Sequence, residues 1–384
     1  MPWKRGVIAL FTVAAGTNVP VPLLLIYRDR LGLSPEVLTA LFGCYAAGLV
    51  PALFLGGPLS DRLGRRPVAL PGIALSVLTS LAFAAAGDSV TLLFVARFLQ
   101  GVVSGVVFSV GSAWVAELSA ASGEAAGGRR AAFAMTAGFS LGPLTSGLLG
   151  QFGPAPTVLP YLVHVAVAGT GVAVAAGLPE TNLRRSRAGG LLHPADPLIR
   201  AGDRGLAATV LAPVAVCVYA FPSTVVSAVP LLGTLPGGAG VAVVGVLAGI
   251  TLGAGALVAP AQRRLGRWTA VVGTALGTAG CAAAALFVAT DALPWLVAAA
   301  PLFGAGGGLC LAAGLTLTGR LAAPTRRGAL TAVFLAVAYL GFAAPYLVTA
   351  TAHRTADWVP LAVAGVLTAL LSLRLVRPAR LGRL

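Results

Sequence analysis

The chain has 384 residues, 58% hydrophobic and 10% charged, and a mean hydropathy of +0.93, where a soluble domain is about one quarter charged. That composition excludes a soluble enzyme or a nucleic-acid-binding module, despite a net charge of +15, and indicates an integral membrane protein.

Taken in chain order, the predicted spans are 6–27, 37–57, 68–86, 90–114, 131–150, 158–178, 206–232, 241–259, 269–290, 294–317, 329–350 and 358–376. Each is close to the ~20 residues that cross ~30 Å of hydrocarbon as a helix. Long runs of Leu, Ala, Val and Gly satisfy their own backbone only as helices, whereas barrel strands would alternate polar and apolar residues. The expected fold class is therefore an all-α membrane protein of twelve transmembrane helices. Span one is not read as a signal peptide, because its apolar run is long, ends in Tyr27-Arg28-Asp29-Arg30 without a small-residue cleavage pattern, and is followed at once by further spans.

The longest polar segment, 183–205, lies between spans six and seven and divides the chain into six-helix halves at 1–182 and 206–384. With the N-terminus placed inside, 22 of the 26 basic residues fall on inner segments. Arg28, Arg30 and Arg354 fall outside, and Arg97 lies within a span. This asymmetry follows the positive-inside rule and predicts cytoplasmic termini. Trp3, Trp114, Trp268, Trp295 and Trp358 all fall at predicted span ends, where a headgroup environment is expected. Cys44, Cys217, Cys281 and Cys310 lie inside spans and read as packing thiols, with neither a disulfide framework nor a metal site.

The stretch GGPLSDRLGRRPV, residues 56–68, concentrates charge in the joint after span two. Gly57 would permit close helix approach, Asp61 could accept hydrogen bonds at a neighbouring helix N-terminus, and Arg62, Arg65 and Arg66 could bind carboxylates or anionic headgroups. The segment Arg62-Leu63-Gly64-Arg65-Arg66 is echoed 202 residues later by Arg264-Leu265-Gly266-Arg267-Trp268, after span eight. Equivalent placement in both halves indicates a parallel repeat.

Span four carries Arg97, Gln100 and Ser104 on one helical face. An arginine near mid-membrane costs about 2.5–3.5 kcal/mol even on the permissive insertion scale, so it is expected to face a cavity or a partner. Span five reads Gly138-Phe139-Ser140-Leu141-Gly142-Pro143-Leu144-Thr145-Ser146-Gly147, a kinked helix with a small-residue seam. Leu178-Pro179-Glu180-Thr181 closes span six as a helix stop. No Asp or Glu lies deep in a span; His164, Asn18 and Tyr219 complete the candidate proton or substrate path.

These residues resemble the major facilitator superfamily. Residues 57–66 are similar to its loop signature G-x-L-x-D-R-x-G-R-R/K, residues 97–105 to its R-x-x-x-G-x-x-x-G/A motif, and residues 138–147 to its antiporter signature G-x-x-x-G-P-x-x-G-G, with Ser146 in place of a glycine. Pro179-Glu180-Thr181 resembles an ending common in drug-exporter relatives. The resemblance implies a secondary transporter working by alternating access, with substrate bound near the bilayer midplane between the halves. It also implies a conformational latch of Gly57, Asp61, Arg62, Gly64, Arg65 and Arg66 in which Asp61 and Arg65 pair with Glu117, and a role for Arg97 in proton movement. The expected activity is proton-coupled efflux of a small organic or drug-like molecule, with uptake of a sugar or other metabolite as the alternative. A polytopic membrane enzyme would need clustered acids, histidines or a metal motif that the sequence lacks. The expected partners are a small-molecule substrate, protons and membrane lipids, with no nucleic acid and no cofactor, for a monomer in the cell membrane.

Overall fold

A computed structural model of the chain describes residues 1–122, 124–182, 198–199, 201–235, 238–322, 327–382 and 384. Of the predicted polar linker, 183–197 and 200 lie outside the described residues, and so do Arg184, Arg185, Arg187, Arg200, Arg326 and Arg383, which the charge asymmetry predicts to be inner.

Long apolar helices dominate the described residues. They are α1 (Pro2–Leu31), α2 (Pro35–Leu63), α3 (Arg65–Ala84), α4 (Val90–Leu118), α5 (Glu124–Phe152), α6 (Leu159–Ala176), α7 (Arg204–Leu232), α8 (Gly240–Val258), α9 (Thr269–Thr290), α10 (Leu293–Leu321), α11 (Leu330–Ala352) and α12 (Val359–Arg380). Between α8 and α9 the chain stays helical, so Gly240–Thr290 forms one 51-residue stretch. At 1.5 Å per residue it would measure about 76 Å, more than twice the hydrocarbon thickness. Gly266, with φ 52°, ends its first part, and the stretch is two crossings joined by the arginine-rich joint.

Exposure separates lipid-facing from packed surfaces. On α12, Val363, Val366, Leu367, Leu370 and Leu373 are 51–70% exposed at helical spacing, an apolar stripe that lipid chains cover. Leu10, Val13, Ala14, Val103 and Val107 form instead a buried core between α1 and α4. Trp114 corrects an expectation. It is 2% exposed, well inside α4, and its indole Nε1 donates to the Pro179 carbonyl at 3.1 Å. Because α4 runs on to Leu118, the ring packs on the chain leaving α6, so this tryptophan is a core residue and not a headgroup anchor.

The contacts define two compact units. Unit one is Met1–Leu33, Leu41–Leu191 and Val241–Gly249; unit two is Ser34–Ala40, Leu192–Gly240 and Ile250–Leu384. Within unit one, Gln151 Oε1 accepts from the Val241 N–H at 3.1 Å, at the start of α8. Within unit two, the Thr39 and Thr349 hydroxyls meet at 2.9 Å.

Helices without charged or hydrogen-bonding faces hold together in a membrane by close backbone approach at small residues. On α4, a Cβ at Gly101 would collide with the carbonyl oxygen of Tyr45 on α2 and come within 2.9 Å of the Leu49 nitrogen. Gly101→Leu is therefore expected to cost about 1–3 kcal/mol through overpacking, read as a lowered thermal midpoint of the detergent-purified chain.

Candidate functional site

The charged joint folds onto the end of α6. Arg65 Nη1 donates to Asp61 Oδ1 at 2.7 Å and to Ser60 Oγ at 2.6 Å, while its Nε and Nη2 reach Glu117 Oε1 at 3.1 and 2.9 Å. The Arg65 side chain is only 13% exposed, so these charge-assisted bonds are shielded better than those of a surface pair. Thr181 donates to the second Glu117 oxygen. Arg66 Nη2 donates to the Ala176 carbonyl at 2.7 Å, and Arg62 is exposed with no hydrogen bond or ion pair among the described residues.

The carboxylate at the neighbouring helix N-terminus is Glu180, not Asp61. Its two oxygens accept from the backbone N–H groups of Arg65 and Arg66, both at 2.9 Å, the first donors of α3. Such donors have no partner within their own helix and favour an anion. Asp61 instead turns to the Arg65 guanidinium. Gly64, with φ 106°, makes the turn, and a Cβ there would come within 2.9 Å of the Glu180 carboxyl carbon. Gly57 has only Ser109 Oγ near its Cβ direction, at 3.4 Å, whereas Gly56 faces the α4 backbone at Val106 Cα, 3.2 Å; the close approach lies one residue earlier than expected.

A second cluster surrounds a break in α1. Helix geometry lapses between Thr17 and Pro20. Pro20 has no N–H to give the Gly16 carbonyl, and Val21 N–H bonds Asn18 O instead of Thr17 O. Gly16 O keeps a long backbone bond from the Val19 N–H, at 3.3 Å, while Thr17 O is left, among the described residues, without a backbone donor at membrane depth. Gln100 Nε2 serves Gly16 O at 2.7 Å, and Arg97 Nη1 serves Thr17 O at 2.7 Å and Gln100 Oε1 at 2.6 Å. Ser104 Oγ meets Thr17 Oγ1 at 3.3 Å. Arg97 is 1% exposed and lies 5.4 and 4.7 Å from the ring centroids of Phe42 and Tyr45, which supply cation–π stabilisation.

The remaining predicted residues fall into three places. His164, 4% exposed, bridges α6 to its neighbours: Nε2 donates to the Thr12 carbonyl at 2.9 Å, which leaves Nδ1 to accept from the Ser80 hydroxyl at 2.7 Å. Asn18 is half-buried at the α1 break, and its side chain makes no hydrogen bond among the described residues. Tyr219 stacks on Tyr339, ring centroids 4.5 Å apart, and lies 5.3 Å from Phe342, in unit two. On α5, Gly138 and Gly142 pack against the α1 backbone near Ala15, and Gly147 against Gly245; Pro143 sits inside the helix.

Serine, threonine and aromatic partners of these groups carry no motif, so Ser60, Ser80, Thr17, Phe42, Tyr45, Tyr339 and Phe342 emerge only on folding. One signal could have found the breaks. Pro20 recurs 202 residues later as Pro222 in α7, and Pro143 recurs as Pro345 in α11. Both later helices are irregular nearby, with π-turns at Thr224–Ala228 and a tighter turn at Leu340–Ala343. At the α7 irregularity the helix serves its own carbonyls, Thr224 Oγ1 donating to Ala220 O and Ser227 Oγ to Ser223 O, each at 2.7 Å.

Two outcomes follow from this geometry. Gln100→Leu leaves the Gly16 carbonyl with only its long bond from the Val19 N–H and is expected to lower stability by about 1 kcal/mol. Pro20→Leu in the same background restores an N–H and recovers part of that loss, both changes being read from thermal midpoints in detergent. Partial burial raises the Glu180 pKa, but backbone donors at Arg65, Asn182, Arg66 and Thr181 outweigh it and hold the carboxyl below its ordinary 4.5. A depressed value in the folded state means that its stabilisation is present above the ordinary value and is lost as pH falls through the folded one. Acidification below about pH 4.5 should thus destabilise the wild-type chain through this group. Glu180→Gln should be less stable at neutral pH and should lack that component in a midpoint-against-pH series.

Comparison with known proteins agrees with this architecture. The model of the Major Facilitator Superfamily matches residues 6–346. The multidrug resistance protein MdtL of Escherichia coli O157:H7 is 40% identical over 80 residues, 21% of this chain and 20% of that protein, so the match spans about a fifth of the relative. MdtL of Shigella boydii serotype 18 is 39% identical over the same length. Among solved structures, a POT peptide transporter in complex with sulfate superposes with TM-score 0.81 at 16% identity, covering 98% of this chain and 94% of that one. The nucleoside transporter NupG does so with TM-score 0.76 at 12% identity and 99% coverage of each. At such identities these two speak for the fold alone. With its family model matched along most of the sequence, the chain belongs to the Major Facilitator Superfamily of membrane transporters.

Proposed function

We propose that the chain works by alternating access and exports a small organic or drug-like molecule from the cell in exchange for protons, as a monomer with cytoplasmic termini in the cell membrane. The observation that carries this reading is the recurrence of Pro20 as Pro222, with helix geometry interrupted between Thr17 and Pro20 and irregular at Thr224–Ala228; Pro143 recurs as Pro345, although α5 runs unbroken through Pro143. Interrupted helices at corresponding positions of two repeats are the usual pointer to a transporter's binding site. In unit one the half-buried Asn18 lies beside the break before Pro20 and offers a polar group; in unit two the Tyr219, Tyr339 and Phe342 stack offers aromatic faces. Export is favoured over uptake by the span-five glycines and proline and by the short match to a multidrug resistance protein.

Each transferred charge gains about 2.3 kcal/mol per 100 mV of membrane potential, enough to drive concentration of a neutral solute. His164 and Arg97 are the proposed proton-path residues, since no carboxylate lies deep in a span. The Asp61, Arg65 and Glu117 cluster is the proposed latch, a set of ion pairs that one conformation forms and another releases.

Reconstitution into vesicles with an imposed pH gradient tests direction. Accumulation of a neutral drug-like molecule on the proton-rich side is expected for exchange, and accumulation on the opposite side would identify the importer instead. Asp61→Asn should abolish transport while leaving expression and monodispersity intact; unchanged cycling would remove the latch from the mechanism.

A further inference from the structure

The repeat places two joints of opposite electrostatic character in equivalent positions. In the first, Arg62, Arg65 and Arg66 are matched in number by Asp61, Glu117 and Glu180, two of which bond the Arg65 guanidinium while the third holds the α3 N-terminus. Moving 202 residues along, Asp61 becomes Arg263, Glu117 becomes Gly319 and Glu180 becomes Gly382, while Arg65 persists as Arg267. All three acids are gone and one position has reversed its charge. Both joints nevertheless turn at a glycine of positive φ, Gly64 at 106° and Gly266 at 52°. Beside Gly64 the space is filled by the Glu180 carboxylate; beside Gly266 there is nothing within 4 Å.

That open space belongs to a cavity of about 310 Å³, lined among others by Arg263, Arg267 and Arg320 and by the buried apolar side chains of Ala313 and Leu317. Arg263 and Arg267 make no hydrogen bond or ion pair among the described residues, and Arg320 donates at 2.6 Å to the carboxylate oxygen of the last residue, Leu384, which also lines the cavity and leaves the two other guanidiniums uncompensated. Asp203 shares a neighbouring cavity with Arg320, but no ion pair joins them. Trp268 stands at the start of α9 beside this cavity, at the end of a membrane-crossing helix where indole rings favour the headgroup layer.

We propose that this cavity binds the phosphate of an anionic phospholipid, which takes the place that the chain's own carboxylates occupy in the first half. Clustered arginines favour phosphate geometry, and the mixed lining suits a phosphodiester carried on a glycerol and acyl chains better than a free ion. The site lies in unit two and is independent of the direction of transport.

The test uses the full chain purified in neutral detergent and titrated with dioleoyl-phosphatidylglycerol, dioleoyl-phosphatidylcholine or inorganic phosphate. Native mass spectrometry reads retained lipid and a thermal scan reads the midpoint. Phosphatidylglycerol is expected to be retained and to raise the midpoint, with the other two inert at the same concentration. Arg263→Gln, Arg267→Gln and Arg320→Gln should each weaken its apparent affinity about fivefold, and Arg129→Gln, on an exposed inner segment of unit one, should leave it unchanged. The double variant Arg263→Asp with Gly319→Glu rebuilds two first-half acids, and position 319 has open space for the side chain. It should remain monodisperse and lose the response to phosphatidylglycerol. Equal retention of the two lipids in wild-type protein, a response that survives in the double variant, or an Arg129→Gln effect equal to the others would overturn the proposal. Protection by inorganic phosphate equal to that by the lipid would overturn the lipid as its source. If any cavity variant fails to fold, competition of the two lipids for wild-type protein in mixed vesicles still decides the outcome.

Discussion

A carbonyl deprived of its helical donor in the depth of a bilayer has no water to turn to, and much of unit one is arranged around two such groups. Pro20 withholds the fourth-residue donor of Gly16 O, which keeps only a long bond from the Val19 N–H, and the adjacent turn leaves Thr17 O open. Gln100 and Arg97 reach across from α4 to both. The cost of burying a guanidinium is offset by its hydrogen bonds and by the faces of Phe42 and Tyr45, with no carboxylate involved. The break thus explains the arginine, and the arginine permits the break.

The second repeat meets a related demand with different chemistry. Around Pro222 the hydroxyls of Ser223, Thr224 and Ser227 fold back on carbonyls of their own helix, and the position equivalent to Arg97 is Ala299. Ser223 Oγ also reaches the Gly341 carbonyl of α11 at 3.5 Å, whereas the Arg97 and Gln100 pair ties α1 to α4 with bonds of 2.7 Å. The break before Pro20 is thus held from a neighbouring helix, and the irregularity after Pro222 mainly from within its own.

Charge at the joints diverged in the same way. In the first half, Asp61 and Glu117 both bond the Arg65 guanidinium, and Glu180 stands in for the missing fourth-residue acceptors at the head of α3. In the second half the arginines remain and the acids do not, although the glycine turn is retained. A basic joint next to a membrane has a ready counter-charge in anionic lipid, which removes the need for the chain to provide one.

Hydropathy and charge asymmetry were sufficient for the number of crossings, the helical class and the position of the charged joints, because both act through the bilayer on every segment independently of its neighbours. Helix ends moved by only a few residues, as at 90–114 against Val90–Leu118. The ordered Gly-Asp-Arg-Gly-Arg run and the Arg97, Gln100 and Ser104 face were equally legible, since each is contiguous or closely spaced in the sequence. Which acid would cap α3, which carbonyls Arg97 would serve, and whether Trp114 would face lipid or protein depended on groups over 60 residues apart in sequence, and no local pattern encodes such pairings. They were settled by how the helices pack, where each buried donor must find whichever acceptor the neighbouring backbone leaves open.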